Sequence, residues 1–347
     1  MLSLLHVLLL SVHLICMNVA SGGPLACIWL EWKLRNKEDA VAKGAADYLA
    51  KMGVLTLLVG SLLGLVMGLM LWTPEYAALW TKRLGHKMHW GGLELLFSLF
   101  ILAGYWAWRR KSSRSRLPGF IGKTVLLLFA STNLLYHFPP LFLIAGNLRD
   151  ANEASTEVVR GKLFVQAMLT GEIPAMWVHF TFASLAMAGI MLLGLALRMG
   201  RRGAPAEEVS RVAIWGGYWG LVPSLLQLPV GLWVMSALPP GSQSRIMGSS
   251  GVATVFFLTG IVAALWLLRE LVSIAMGETA RSNLIRAMSA MVLVVVLMTG
   301  THQFSKERSE DLFKSVIGSP LLPRLRTPPT LVKQKTREAS LAGQGVF

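Results

Sequence analysis

Eight long apolar stretches alternate with short, mostly basic segments along the chain, near residues 3–32, 48–72, 91–109, 121–146, 174–198, 211–236, 249–272 and 285–303. A bilayer crossing takes about 20 residues of helix, and each stretch is of that order. The apolar character is continuous within each stretch, whereas barrel strands are short segments of alternating polarity. Backbone amides in lipid must be satisfied within helices or closed barrels. The pattern therefore predicts an all-α, polytopic membrane protein of about eight transmembrane helices in a bundle. The sixth stretch contains Pro223 and Pro229, which membrane helices tolerate. No internal repeat is evident.

The first stretch has one competing reading. Val19-Ala20-Ser21-Gly22 has the small residues of a signal-peptide cleavage site. No Lys or Arg precedes the apolar run, however, and apolar character resumes through Leu25, Ala26, Ile28 and Trp29. Both features favour a retained span.

Composition agrees. Of 347 residues, 54% are hydrophobic and 15% charged, against about 25% charged in soluble domains. Mean hydropathy is +0.56. Soluble enzymes, nucleic-acid-binding domains and disordered chains are excluded. The net charge of +15 is explained by topology. Segments at the ends of runs one, three, five and seven carry eighteen Lys and Arg, against seven in the alternate set. By the positive-inside rule the N-terminus lies outside. Residues 1–303 form the transmembrane domain, and 304–347 a basic, Pro-containing outer tail without a core of its own. Lipid is the immediate partner, and nucleic acid is not one. Cys16 and Cys27 share one apolar run and no Cys-x-x-Cys-His occurs, which argues against covalent haem and a disulfide framework.

On this topology all seven histidines fall toward one side. His6 and His13 lie in the outer half of the first helix, seven residues apart and so on one face. His86 and His89 precede the third helix, His137 ends the fourth, His179 begins the fifth and His302 ends the eighth. Interfacial placement accounts for His86 and His89, and in part for His6 and His302. His13, His137 and His179 lie deeper, where ionisable groups mark functional sites. Neutral imidazole is a haem ligand, and a macrocycle fits between apolar helices. Glu94 is read as the one carboxylate well inside a span, either protonated, paired, beside a metal or on a proton path, or reaching up into the headgroups. Glu31, at an interface, is read as solvated.

Several segments resemble, in order, subunit I of cytochrome bd-type quinol oxidases. Ser11-Val12-His13-Leu14 and the run to Glu31-Trp32 are similar to that family's first helix. Tyr48-Leu49-Ala50-Lys51-Met52 leading into Gly60, Gly64 and Gly68 resembles the second, a glycine ridge read as serving close helix packing. Glu94-Leu95-Leu96-Phe97-Ser98 resembles the third and Thr132-Asn133-Leu134 the fourth. Trp177-Val178-His179-Phe180, with Ala183-Ser184 and Gly189, resembles the segment whose His ligates low-spin haem b; Arg245-Ile246-Met247 resembles the one supplying the axial Met. The resemblance covers roughly residues 1–275. It implies haem b held by His179 and Met247 with Arg245 beside it, and His13 and Glu94 at the active-site haems. Haem d gains no support from the residues. It also implies quinol, a second membrane subunit and a bacterial-type inner (cytoplasmic) membrane.

Departures bear on function. The family's long quinol-binding loop is absent, and only about Ser236–Ser244 joins the sixth and seventh helices. Leu102 and Leu135 stand where the family has a proton-path Glu and Ser. His137 and His302 have no clear family counterpart and are candidate ligands in place of a lost carboxylate. Three functions follow: a membrane b-type cytochrome passing electrons between the quinone pool and an outer-side partner such as a cytochrome; a divergent terminal quinol oxidase reducing oxygen; or a cofactor-free transporter or structural membrane protein.

Overall fold

In the computed structural model, residues 2–35, 38–111, 117–150, 159 and 161–306 are described. Eight helices are long and apolar enough to cross a membrane. They are α1 (Leu2–Lys33), α2 (Ala40–Met70), α4 (Gly85–Lys111), the pair α5 (Leu117–Tyr136) and α6 (Phe138–Asp150), α8 (Ile173–Arg201), α9 (Ala206–Ala237), α11 (Gly251–Ala275) and α12 (Arg281–Ser305). Short helices α3 (Pro74–Ala78), α7 (Lys162–Met168) and α10 (Pro240–Ser244), with π-turns at Leu79–Arg83 and Arg245–Ser249, fill the connections. The expected all-α bundle is present, and no strand occurs among the described residues. The tail expected over 304–347 lies outside the described residues from 307 onward.

The fourth expected span is two helices. α5 ends at Tyr136 and α6 begins at Phe138, with Pro139 and Pro140 in its first turn. Proline lacks an N–H and suits a helix start, so the chain turns at His137. α9 is one continuous helix despite Pro223 and Pro229.

α1 sits centrally, packed against α2, α5, α8 and α12, while α9 is wedged between α8 and α11. Glycine sets the closest approaches. A Cβ on Gly22 would strike the Ser184 carbonyl, and one on Gly189 would lie 2.7 Å from the Gly216 oxygen. Of the expected ridge on α2, Gly60 meets Met17 and Gly64 meets His13, but Gly68 faces open space. Ser184 donates to Asn18 at 2.7 Å, tying α8 to α1. A separate cluster of Leu79, Trp80, Leu84, Leu141, Ile144, Phe164 and Met168 packs the short helices together at the histidine end.

Candidate functional site

His13 is half-buried between α1 and α2. Its Nδ1 lies 2.8 Å from the Gly60 carbonyl oxygen. A carbonyl only accepts, so Nδ1 carries the proton and Nε2 keeps its lone pair. Gly64 lies under the ring: a Cβ there would be 3.0 Å from His13 Cε1. The two glycines thus hold the imidazole in one orientation and one tautomer. Metal-ligating histidines are oriented in the same way, the second nitrogen donating to a carbonyl.

His179 opens α8 beside α9, where Gln227 donates to its carbonyl at 3.4 Å. Its Nδ1 is buried without a hydrogen-bond partner. Ser224, one turn from Gln227 on α9, also buries a hydroxyl without a partner. Buried polar atoms are nearly always paired, so this helix interface has unmet hydrogen-bonding or ligating capacity. Trp177, two residues back, donates to the Leu135 carbonyl at 2.6 Å and locks α8 to α5.

Glu94 of α4 does not point alone into lipid. It lies 3.3 Å from His137 Nδ1, and both side chains are partly exposed. Asn133 donates to the Glu94 carbonyl and to Ser98 Oγ, each at 2.8 Å. Asn133 of α5 therefore positions the backbone that carries Glu94. Tyr136 packs edge-on against both His137 and Trp177.

Met247 and Arg245 both lie in the π-turn before α11, where Gly248 adopts φ 131°. Met247 is 74% exposed. Arg245 donates to the Phe304 carbonyl at 3.4 Å, beyond His302 at the end of α12. No hydrogen bond joins Met247 to His179 among the described residues. A shallow apolar groove of about 280 Å³ lined by Gly251, Val252, Val255 and Phe256 begins just after this turn.

The opposite end of the bundle holds what sequence reasoning missed. Glu31 is fully buried, not solvated. It accepts from Tyr105 at 3.0 Å, from Arg109 and from Lys123 at 3.3 Å. Arg109 also donates to Asp47 at 2.7 Å and to the Lys43 carbonyl at 3.2 Å. Arg109 and Lys123, counted as loop charges by the topology argument, are buried in this network. Glu94 is likewise not the only carboxylate inside a span. Glu270 of α11 is buried and accepts from Trp266, Arg269 and Arg286 at 3.0–3.2 Å. A signal existed for the first cluster, since Lys123 falls inside an apolar stretch and needs a buried anion.

No protein-family model matches the sequence, and no curated protein matches it. Among solved structures, the bd oxidase from Geobacillus thermodenitrificans superposes with a TM-score of 0.68, covering 88% of this chain and 85% of that one. The fold is that of a bd oxidase chain. Sequence identity is 14%, so the likeness is one of architecture. Within this bd oxidase-type bundle, His13, Glu94, His137 and His179 lie toward the helix ends opposite the Glu31 network.

Proposed function

We propose that the protein is a haem b-binding membrane cytochrome that passes electrons between the quinone pool and a partner at the histidine end, docked as a second membrane subunit or an outer-side cytochrome. The observation that carries this reading is the His13–Gly60 hydrogen bond, which leaves Nε2 of a half-buried imidazole free as a ligand inside a bd oxidase-type bundle. The unpartnered His179 Nδ1 and Ser224 hydroxyl fit a second ligating or polar contact between α8 and α9.

Haem b, when bound, supplies one-electron redox chemistry. The chain's own part is to hold and insulate it. His13 and His179 are the proposed iron ligands, and Arg245 offers a guanidinium suited to a propionate. Met247 would join the residues holding the haem near His179 if the π-turn bearing it folded inward, and His137 or His302 would supply a ligand in place of a lost carboxylate. Glu94 and His137 form a pair that holds or exchanges a proton at the carboxylate and Nδ1. The setting is a multi-pass protein of a bacterial-type inner membrane with the N-terminus outside.

Oxygen reduction is the second reading, favoured by Glu94 lying close to His137 as an acid–base pair. Against it stand two apolar positions and the charges beyond them. Leu102 and Leu135 are buried, and at the end of the bundle opposite the histidines the charges of Glu31, Asp47, Arg109 and Lys123 compensate one another. No polar side chain occupies either leucine position to relay protons inward.

A reduced-minus-oxidised spectrum of the purified protein tests the proposal. A b-type α-band is expected, reduced in His13→Ala and in His179→Ala while helicity is kept. A folded, colourless protein would end the cytochrome reading. Oxygen uptake driven by a reduced quinol would transfer the assignment to the oxidase.

A further inference from the structure

At the end of the bundle remote from the histidines, Trp29 of α1 meets Trp215 of α9 edge-on at 5.3 Å and Trp219 at 5.9 Å. Two cations rest on this wall of indoles. Lys33 Nζ lies 4.8 Å from the Trp29 ring centre and 5.2 Å from that of Trp215. The Arg211 guanidinium lies 5.4 Å from Trp215.

One carboxylate faces the pair. Asp39 binds Arg211 at 2.8 Å, but the same oxygen already accepts the Val41 and Ala42 amides that start α2. Among the described residues no carboxylate lies within ion-pair distance of Lys33. Two positive groups thus converge on one indole with a single, shared counter-charge, and like charges at this range repel unless an anion joins them. Tryptophan and basic residues at helix ends sit at headgroup depth. Exposed Tyr218 and Val222 continue along α9 into the span and present an apolar track to an acyl chain.

We infer that Lys33, Arg211 and the Trp29–Trp215 wall bind the phosphate of an anionic phospholipid at the junction of α1, α2 and α9. Basic pockets between transmembrane helices suit such headgroups. Lys33 also complements the C-terminal dipole of α1, but that local role creates no preference among lipids.

The test uses the full chain, delipidated in neutral detergent and titrated with phosphatidylglycerol, phosphatidylcholine or inorganic phosphate. Bound lipid is counted by native mass spectrometry and melting is followed in parallel. Phosphatidylglycerol is expected to be retained and to raise the melting temperature, phosphatidylcholine and phosphate to do neither. Lys33→Gln and Arg211→Gln should each weaken retention by about fivefold, the scale of one basic residue at an anionic surface. Arg201→Gln with Arg202→Gln, exposed at the same end, should leave it unchanged. Lys33 is only partly buried, so its Gln variant keeps the fold, which circular dichroism checks. Equal loss in the Arg201/Arg202 control, or none in the Lys33 and Arg211 variants, overturns the site in favour of diffuse attraction. Equal stabilisation by inorganic phosphate overturns the lipid assignment.

Discussion

Arg109, at the end of α4, donates to Glu31 of α1, and both side chains are fully buried. Its Nε reaches Asp47 of α2, which is 38% exposed. One guanidinium therefore joins three helices, and Lys123 brings in α5 through the second Glu31 oxygen.

Removing one member of such a network strands a charge. Arg109→Met should destabilise the protein by about 3–5 kcal/mol. Arg109→Lys should recover only part of that, because an ammonium cannot span two carboxylates as the planar fork does. Deleting an anion and a cation together, as in Glu31→Gln with Lys123→Met, should cost less than the sum of the single changes. Melting followed by a thiol-reactive dye at buried Cys27 measures all five variants. Additive losses would mean that the two groups act independently.

Glu270 separates a buried contact from a surface one. Arg269 is 77% exposed although it lies 3.1 Å from Glu270, whereas Arg286 reaches across from α12 at 3.0 Å. Arg269→Ala should change stability by less than about 1 kcal/mol. Arg286→Ala should cost more, since it unties α12 from α11 and also loses a 2.6 Å bond to Asn283. The same melts rank them, and equal effects would refute the distinction.

Gly189→Ala should fail to assemble. The added methyl meets backbone atoms of Gly216, Trp219 and Gly220, none of which yields as a side-chain tip does, so the cost lies at or above the ~3 kcal/mol upper end of ordinary overpacking. Gly68→Ala, with nothing near its Cβ, should be neutral or slightly stabilising. Size-exclusion chromatography of fluorescent fusions distinguishes the two. A monodisperse Gly189→Ala protein would contradict the packing.

Gly64→Ala probes the ring of His13 without removing it. The methyl would press on Cε1 from 3.0 Å and tilt the imidazole away from the Gly60 carbonyl. If His13 ligates haem, the variant should lower haem content, read by pyridine haemochrome, and shift the reduced spectrum while melting stays within about 1–2 kcal/mol of the parent. An unchanged spectrum would detach His13 from iron.

The candidate site was partly readable from the chain. Charged or imidazole groups inside apolar runs are costly, which singled out Glu94, His137 and His179 before any fold was known. That Glu94 and His137 face each other was not readable, because the contact joins residues on different helices whose rotation about their axes hydropathy does not record. Glu31 was misplaced for a related reason. At a helix end, solvent and a buried cation satisfy a carboxylate equally well, and only the neighbours decide between them. Glycines in close backbone contact lie on α8 and α9, at Gly189 and Gly216, while Gly68 of the α2 ridge touches nothing; spacing along one helix does not record which face meets a neighbour.

The length and continuity of the apolar runs determined an eight-crossing helical bundle, since backbone in lipid is satisfied only in helices or closed barrels and barrel strands are short and alternating. Which faces meet was decided by tertiary structure. Within a span nearly every position is apolar, so the rotation of each helix is set by where glycine permits contact and where buried charges find partners, as Gly189 does with Gly216 and Glu31 with Arg109.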